Sequence, residues 1–195
     1  MKFIRVLKSS LPNENSLGEP IADNEQTLQN FWNWFNNSKA VDKQGRPLVV
    51  YHGTTRKFDI FDKSKIGLRD SWYGKGFYFT PDYDTAKSYY TKTPGGNYSK
   101  SGNVKSLYLS VKNPFIVNNW TEIQDQYGNL KTPDYLKDFD YNKYDGIFVY
   151  NSYSNAFGSF KDIYEIVVFE SNQIKAISNN TNYSKEDNSI YGGLR

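Results

Sequence analysis

Apolar residues in the second half of the chain come in short runs separated by turn formers, and that rhythm restricts the fold more than any other feature. Leu107, Leu109 and Val111 alternate with Tyr108 and Ser110, the period of two expected of a half-buried strand. Residues 115–117, just after Pro114, read as its continuation beyond a bulge, and residues 146–150, 165–169 and 174–177 read as three further strands. Upstream, residues 48–51 and 76–80 are strand-like, the first preceded by the turn signal DKQGRP. A helix is expected from about residue 25 to 36, with Asp23 and Gln26 spaced as a capping pair. Leu28, Phe31, Trp32 and Phe35 then form one stripe at i, i+3, i+4 and i+7, which we read as core-facing rather than as a partner's docking stripe. Thr80-Pro81-Asp82 reads as the start of a second helix running through TAKSYY. A third, short helix fits residues 133–138, and the Gly-, Ser- and Asn-rich stretch 94–103 reads as a loop. Together these give an α+β fold with about five to seven strands and two or three helices.

Composition narrows the chemistry. The chain has 195 residues, which at ~150 per domain fits one domain with an appendage. It contains no cysteine, one histidine and one methionine, against 17 tyrosines, 13 phenylalanines and 4 tryptophans. Disulfides, a thiol nucleophile, thiolate zinc sites and iron–sulfur clusters are excluded, as is any multi-histidine metal centre. The net charge of +3 is too small to imply a nucleic-acid partner by itself. A mean hydropathy of −0.75, with no long apolar run, argues against a membrane span, and the start, MKFIRVLKSS, lacks a signal-peptide core. A cytoplasmic protein is expected, one that could also be delivered into another cell.

Three local features could carry chemistry, and each is weak alone. His52 follows a strand and precedes Gly53 and Thr54; the plain reading is a strand-end histidine fixing a turn. A Ser–His–Asp hydrolase is disfavoured because the chain has no GxSxG elbow. Gly74-Lys75-Gly76 precedes Phe77-Tyr78-Phe79 but does not fit the Walker pattern; glycines there let the backbone approach another element or a flat ligand. Glu165 opens the run Ile166-Val167-Val168-Phe169, a place where most carboxylates are solvated strand ends.

In order along the chain, VVYHGTT, GKGFYFTPDYDTAKSYY and YEIVVFESNQIKAI resemble the signature blocks of the ADP-ribosyltransferase fold. The likeness is to the histidine–tyrosine–glutamate class, which takes in diphtheria toxin and the poly(ADP-ribose) polymerases. Within it the chain is most similar in flavour to the domains of phage and mobile-element polyvalent proteins. The resemblance spans roughly residues 27–177 and implies a split, mostly antiparallel sheet core. Residues 1–22, polar and without periodicity, read as a flexible tail or loosely docked arm, ahead of a catalytic domain at 23–180 and a tail at 181–195.

The implied chemistry cleaves the nicotinamide–ribose bond of NAD, as co-substrate and without a metal, and passes ADP-ribose to an acceptor. By analogy His52 meets a ribose hydroxyl and Gly53, next to Thr54, holds the carboxamide. Tyr78, after Gly76, and Tyr89, eleven residues later, wall the nicotinamide slot. Glu165 faces the nicotinamide-ribose 2′-hydroxyl and stabilises the oxocarbenium-like transition state. The polymerases' carboxamide-binding serine is replaced by Ala86, leaving Thr85 as a substitute, and Arg56 and Arg69 flank the cleft where a pyrophosphate would lie. Ile163 stands where arginine-specific toxins carry the first acid of E-x-E. Gln173 matches a recurrent family position and is read as structural.

A single transfer to a macromolecule, protein ahead of nucleic acid, is the preferred activity, in the manner of a toxin, effector or phage modifier. A cognate inhibitor and a monomeric state go with that expectation. NAD hydrolysis and a non-catalytic virion-associated module are the alternatives. Residues 151–163, with Tyr153, Phe157 and Phe160, fall where the family places its acceptor-facing loop, and these rings either meet the target or pack the loop.

Overall fold

The structure, a computed structural model, describes residues 11–67, 72–91, 102–124, 129, 131–155, 158–178 and 183–192. The loop expected at 94–103 lies almost wholly outside them, as do Arg69 and Phe157, and the side chains of Tyr153 and Phe160 are not described.

Among these residues two helices, α1 (Glu25–Phe35) and α2 (Tyr83–Thr91), accompany seven strands: β1 (Val50–Thr54), β2 (Phe77–Phe79), β3 (Asn103–Leu109), β4 (Pro114–Val117), β5 (Gly146–Asn155), β6 (Gly158–Val168) and β7 (Ile174–Ala176). They form two sheets, β1-β3-β7 and β2-β6-β5-β4, antiparallel except for the β4–β5 pair. The fold is therefore α+β with a mostly antiparallel, two-sheet core. One backbone bridge joins the sheets: Tyr51 N–H donates to Thr80 O (2.8 Å) and Thr80 N–H to Tyr51 O (3.1 Å).

The alternation of side chains explains the layers. Val50, Leu107 and Leu109 from one sheet meet Phe77, Phe79, Phe148, Ile166 and Val168 from the other, making the central core. On the outer face of the first sheet, Tyr108 packs beneath Leu28, Phe31, Trp34 and Phe35 of α1. Leu28, Phe31 and Phe35 of the expected stripe thus face the core, whereas Trp32 is only partly buried, with its indole N–H on Pro12 O, and Trp34, outside the stripe, is the buried tryptophan. β3 is buried on both faces rather than half-buried, because α1 covers the side on which Tyr108 lies. The outer face of the second sheet carries Ile147, Val149, Val167 and Phe169 beneath Tyr73, Phe115, Trp120, Tyr135 and Phe139.

Several boundaries differ from the sequence reading. The α1 cap is Asn24, whose side chain accepts from Thr27 N, not Asp23. α2 starts two residues later than expected, capped by the Asp82 carboxylate on Thr85 N (2.6 Å). Thr80, expected as that cap, accepts from Asp82 N (3.2 Å) just ahead of the helix and donates its hydroxyl to Tyr164 O. Residues 114–117 do not extend β3. The chain turns at Lys112 and Asn113, whose N–H groups both donate to the Asp145 carboxylate, and β4 joins the edge of the other sheet beside β5. Proline, lacking an N–H, suits the first position of that edge strand. The helix expected at 133–138 is one 3-10 turn, Asp134–Leu136.

The two termini also differ. Residues 11–22, read as a tail or loosely docked arm, are held by specific bonds. Asn13 takes the N–H groups of Ile21 and Ala22, and buried Asn15 donates to Tyr108 Oη (2.9 Å). In the stretch expected as a tail, Tyr183 and Ile190 are buried in the outer and central cores. No helix among the described residues is long and apolar enough to cross a membrane.

Candidate active site

The candidate site forms where the two sheets meet. β1 brings His52 to the junction on the same face as Val50. Its Nδ1 lies 2.9 Å from the carbonyl oxygen of Tyr78, which can only accept. Nδ1 therefore carries the proton, and in the neutral ring Nε2 is the acceptor nitrogen. Phe61, Phe58 and Phe79 hold the imidazole plane, with ring centroids 5.0, 6.2 and 5.6 Å away.

Tyr78 sits at the centre of β2, opposite Val167, with its ring on the outer face while Phe77 and Phe79 point into the central core. Its hydroxyl donates to Gly74 O (2.6 Å) and accepts from Tyr73 N (3.1 Å), closing a turn that fixes the ring. The hydroxyl of Tyr135 in turn donates to Tyr73 O. The tight GKG segment has a packing cause. A Cβ on Gly76 would lie 2.4 Å from Val167 Cγ1 and 2.7 Å from Val168 O, so glycine is required for β2 to reach β6. Of the two partners that sequence allowed for this glycine, the structure shows another element of the fold.

Glu165 shares the outer face with Val149 and Val167 and is only 6 % exposed. Burial pushes its carboxyl up to about 8, opposed by a long hydrogen bond (3.4 Å) from the Tyr89 hydroxyl. Tyr89 lies on α2 with 53 % of its surface exposed, yet its hydroxyl end reaches this buried acid. Burial, then the charge of Glu165, raises the hydroxyls of Tyr73 and Tyr89 above their ordinary range, and Tyr78 is raised chiefly by burial. Tyrosines therefore surround the carboxylate.

A β-bulge shapes the other side. Val149 pairs with Glu165 but Tyr150 with Ile163, leaving Tyr164 as the extra residue on β6. This reverses the strand's parity: Ile163 packs into the central core, and Tyr164 lies beside Glu165 on the outer face, its ring 6.0 Å from that of Trp120. Tyr73 Oη donates to Trp120 O, tying that residue to the same cluster. Tyr73, Tyr164, Trp120 and Tyr135 were not singled out by sequence. No local signal marks them, because the bulge and the 3-10 turn at 134–136 bring them in.

The remaining expected residues are less central. Gly53 and Thr54 continue β1 beside Val104 and Asn103, and Thr54 Oγ1 accepts from Arg56 N. Arg56 is exposed on the following turn. Ala86 is buried where α2 lies on β1, and half-buried Thr85 has its N–H committed to Asp82. The Gln173 side chain makes four bonds, accepting from Phe169 N and Glu170 N and donating to Ser110 O and Asp145 O, which pins β6, β7 and the β3–β4 turn together. Among the described residues, no group of three or more acidic or histidine side chains converges to hold a metal.

A family model described as ADP-ribosyltransferase in polyvalent proteins matches residues 42–184, well over half of the chain. The chain belongs to this family. It is an ADP-ribosyltransferase domain of the polyvalent-protein type, a class of transferase that uses NAD as co-substrate. No curated protein matches it. The matched span holds His52, Tyr78, Tyr89 and Glu165 and stops before the docked segment 185–192.

Proposed function

We propose that this ADP-ribosyltransferase cleaves NAD at the junction of its two sheets and transfers a single ADP-ribose to a protein acceptor. The observation that carries the reading is Glu165, a carboxyl buried among tyrosines, with one long hydrogen bond among the described residues and a strongly raised pKa. An acid so placed is poorly solvated as an anion, and it gains most from a cation brought against it. NAD supplies such a cation in its nicotinamide ring, and more positive charge develops on the ribose as the glycosidic bond lengthens.

The other residues fit the same ligand. Tyr78, locked by Gly74 and Tyr73, offers a fixed flat wall, and Tyr89 on α2 offers a second with more freedom. His52, with Nδ1–H committed to Tyr78 O, presents Nε2 to a ribose hydroxyl, and Gly53 and Thr54 supply backbone groups for the carboxamide. Ala86 provides no side-chain hydrogen bond, so the carboxamide rests on the backbone and Thr85. Arg56, and Arg69 in the segment outside the described residues, are assigned to the pyrophosphate. Tyr164 and Trp120 give Glu165 an aromatic flank. Such a surface suits a protein side chain better than the anionic end of a growing polymer, which calls for cationic groups. Glu165 then orients the acceptor and takes its proton.

Incubating the protein with labelled NAD and a cell lysate, beside Glu165→Gln, tests this reading. Label should appear on protein with wild type and fall about 10²- to 10⁴-fold with the variant. Label on nucleic acid, or free ADP-ribose alone, would replace the acceptor with a nucleic acid or water. NAD left intact by both proteins would refute catalysis by this site.

A further inference from the structure

Lys175, at the centre of β7, is fully buried and has no part in the proposed chemistry. Its ammonium donates to two backbone carbonyls of the C-terminal segment, Asp187 O and Ser189 O, both at 2.7 Å. That segment is tied in by backbone bonds on both sides. Ala176 N–H donates to Ile190 O (2.7 Å), Ile190 N–H donates to Asp59 O (2.8 Å), and Ser189 bridges Ile60. Ile190 itself is buried in the central core. The segment therefore lies between the sheet edge and residues 58–61. The rings of those residues, Phe58 and Phe61, pack against each other (4.9 Å) and against His52. Residues 187–190 lie beyond the span that the family model matches.

We propose that Lys175 is a positioning residue for His52: it clamps residues 187–190 as a strap, and the strap holds Phe58 and Phe61 against the imidazole. A buried ammonium satisfied by carbonyls of a single segment acts as a fastener for that segment, since no water is there to replace it. The strap's Ile190 and Tyr191, with Phe58 and Lys105, also wall a cavity of about 530 Å³ on that side of the sheet. Lys105 is the direct cross-strand partner of His52, and its Nζ lies 4.7 Å from the Phe58 ring centroid and 3.3 Å from Tyr191 Oη. Releasing the strap thus loosens the packing of Phe58 and Phe61 on the histidine.

The proposal rests on His52 binding NAD, but its first test does not. His52 is the chain's single histidine, so ¹⁵N-histidine labelling gives one imidazole spectrum that reports the tautomer directly. In wild type the Nδ1–H form should dominate at pH 8. Lys175→Met, which keeps the side chain's length and apolar stem, should shift the signals toward tautomer averaging. Ile190→Ala, which frees the strap without touching Lys175, should do the same should Lys175→Met fold poorly. Leu28→Ala loosens the other core cluster and should lower the melting temperature while leaving the histidine signals in place. In turnover, Lys175→Met should raise KM for NAD about tenfold with kcat little changed, the split expected when a binding group is misplaced. Unchanged imidazole signals in both Lys175→Met and Ile190→Ala would overturn the proposal. NAD left untouched by wild type would instead count against the functional reading and leave the imidazole result standing.

Discussion

Two buried ionisable groups, one in each sheet, are held in opposite ways. Lys175 in the three-stranded sheet is 0 % exposed, and two carbonyl oxygens at 2.7 Å take the place of water around its charge. Glu165 in the four-stranded sheet is 6 % exposed, and among the described residues its carboxyl has one hydrogen bond, at 3.4 Å. Burial disfavours both charges, lowering the lysine's pKa and raising that of the glutamate. The difference lies in compensation. A buried charge with short bonds to its own fold is a fastener, whereas one left poorly satisfied carries a cost that an incoming ligand can relieve.

The sharpest way to break this comparison is to neutralise each group and look at the sign of the stability change. Glu165 has a folded pKa near 8, above its ordinary 4.5, so between those values the folded state holds a proton that the unfolded chain has lost. Stability is then full below pH 4.5 and falls as pH rises toward 8. Glu165→Gln has no such loss. It should be more stable than wild type by about 2–4 kcal/mol at pH 8, with the gap closing below pH 4.5. Lys175→Met should go the other way at neutral pH, by about 1–3 kcal/mol, because two carbonyls lose their donor. Urea melts across pH 4–9 measure both. If Glu165→Gln is destabilising at pH 8, the carboxyl is well satisfied and the contrast is wrong.

A smaller effect separates ring from hydroxyl at Tyr89. Tyr89→Phe keeps the flat wall and removes a long bond worth about 0.5 kcal/mol or less. That bond holds the Glu165 pKa down, so its loss should move the carboxyl's titration to higher pH while KM for NAD stays near wild type. A large rise in KM would mean that the hydroxyl, not the ring, meets the ligand.

Much of this arrangement was legible before any coordinates. Alternation around Leu107 and the stripe Leu28-Phe31-Phe35 placed a strand and a helix on the core, since burial periodicity is a local property. The start signal Thr80-Pro81-Asp82 likewise marked the helix that carries Tyr89, whose place in the site came from the family resemblance. What escaped depends on contacts far apart in sequence. The bulge at Tyr164 arises from how β5 and β6 pair, and it moves Ile163 to the opposite face from the acid two residues on. Asn13, Asn15 and Ile190 look like linker residues, but Asn13 satisfies backbone N–H groups of its own segment, Asn15 bonds the hydroxyl of Tyr108 on the middle strand, and Ile190 fills the central core. Gly76 was recognisable as a point of close approach, but only its contact with Val167 shows that β6 is what it approaches.

The claim that Glu165 waits for a cation is tested most directly by counting protons. NAD binding should be followed calorimetrically at pH 7 in buffers of different ionisation heat, with Glu165→Gln alongside. At that pH the free carboxyl is mostly protonated, and pairing with the nicotinamide ring should ionise it. Wild type should release close to one proton per NAD bound, and Glu165→Gln essentially none. Binding by wild type with no proton released, or with the same release as Glu165→Gln, would contradict the assignment of this buried acid to the charge of NAD.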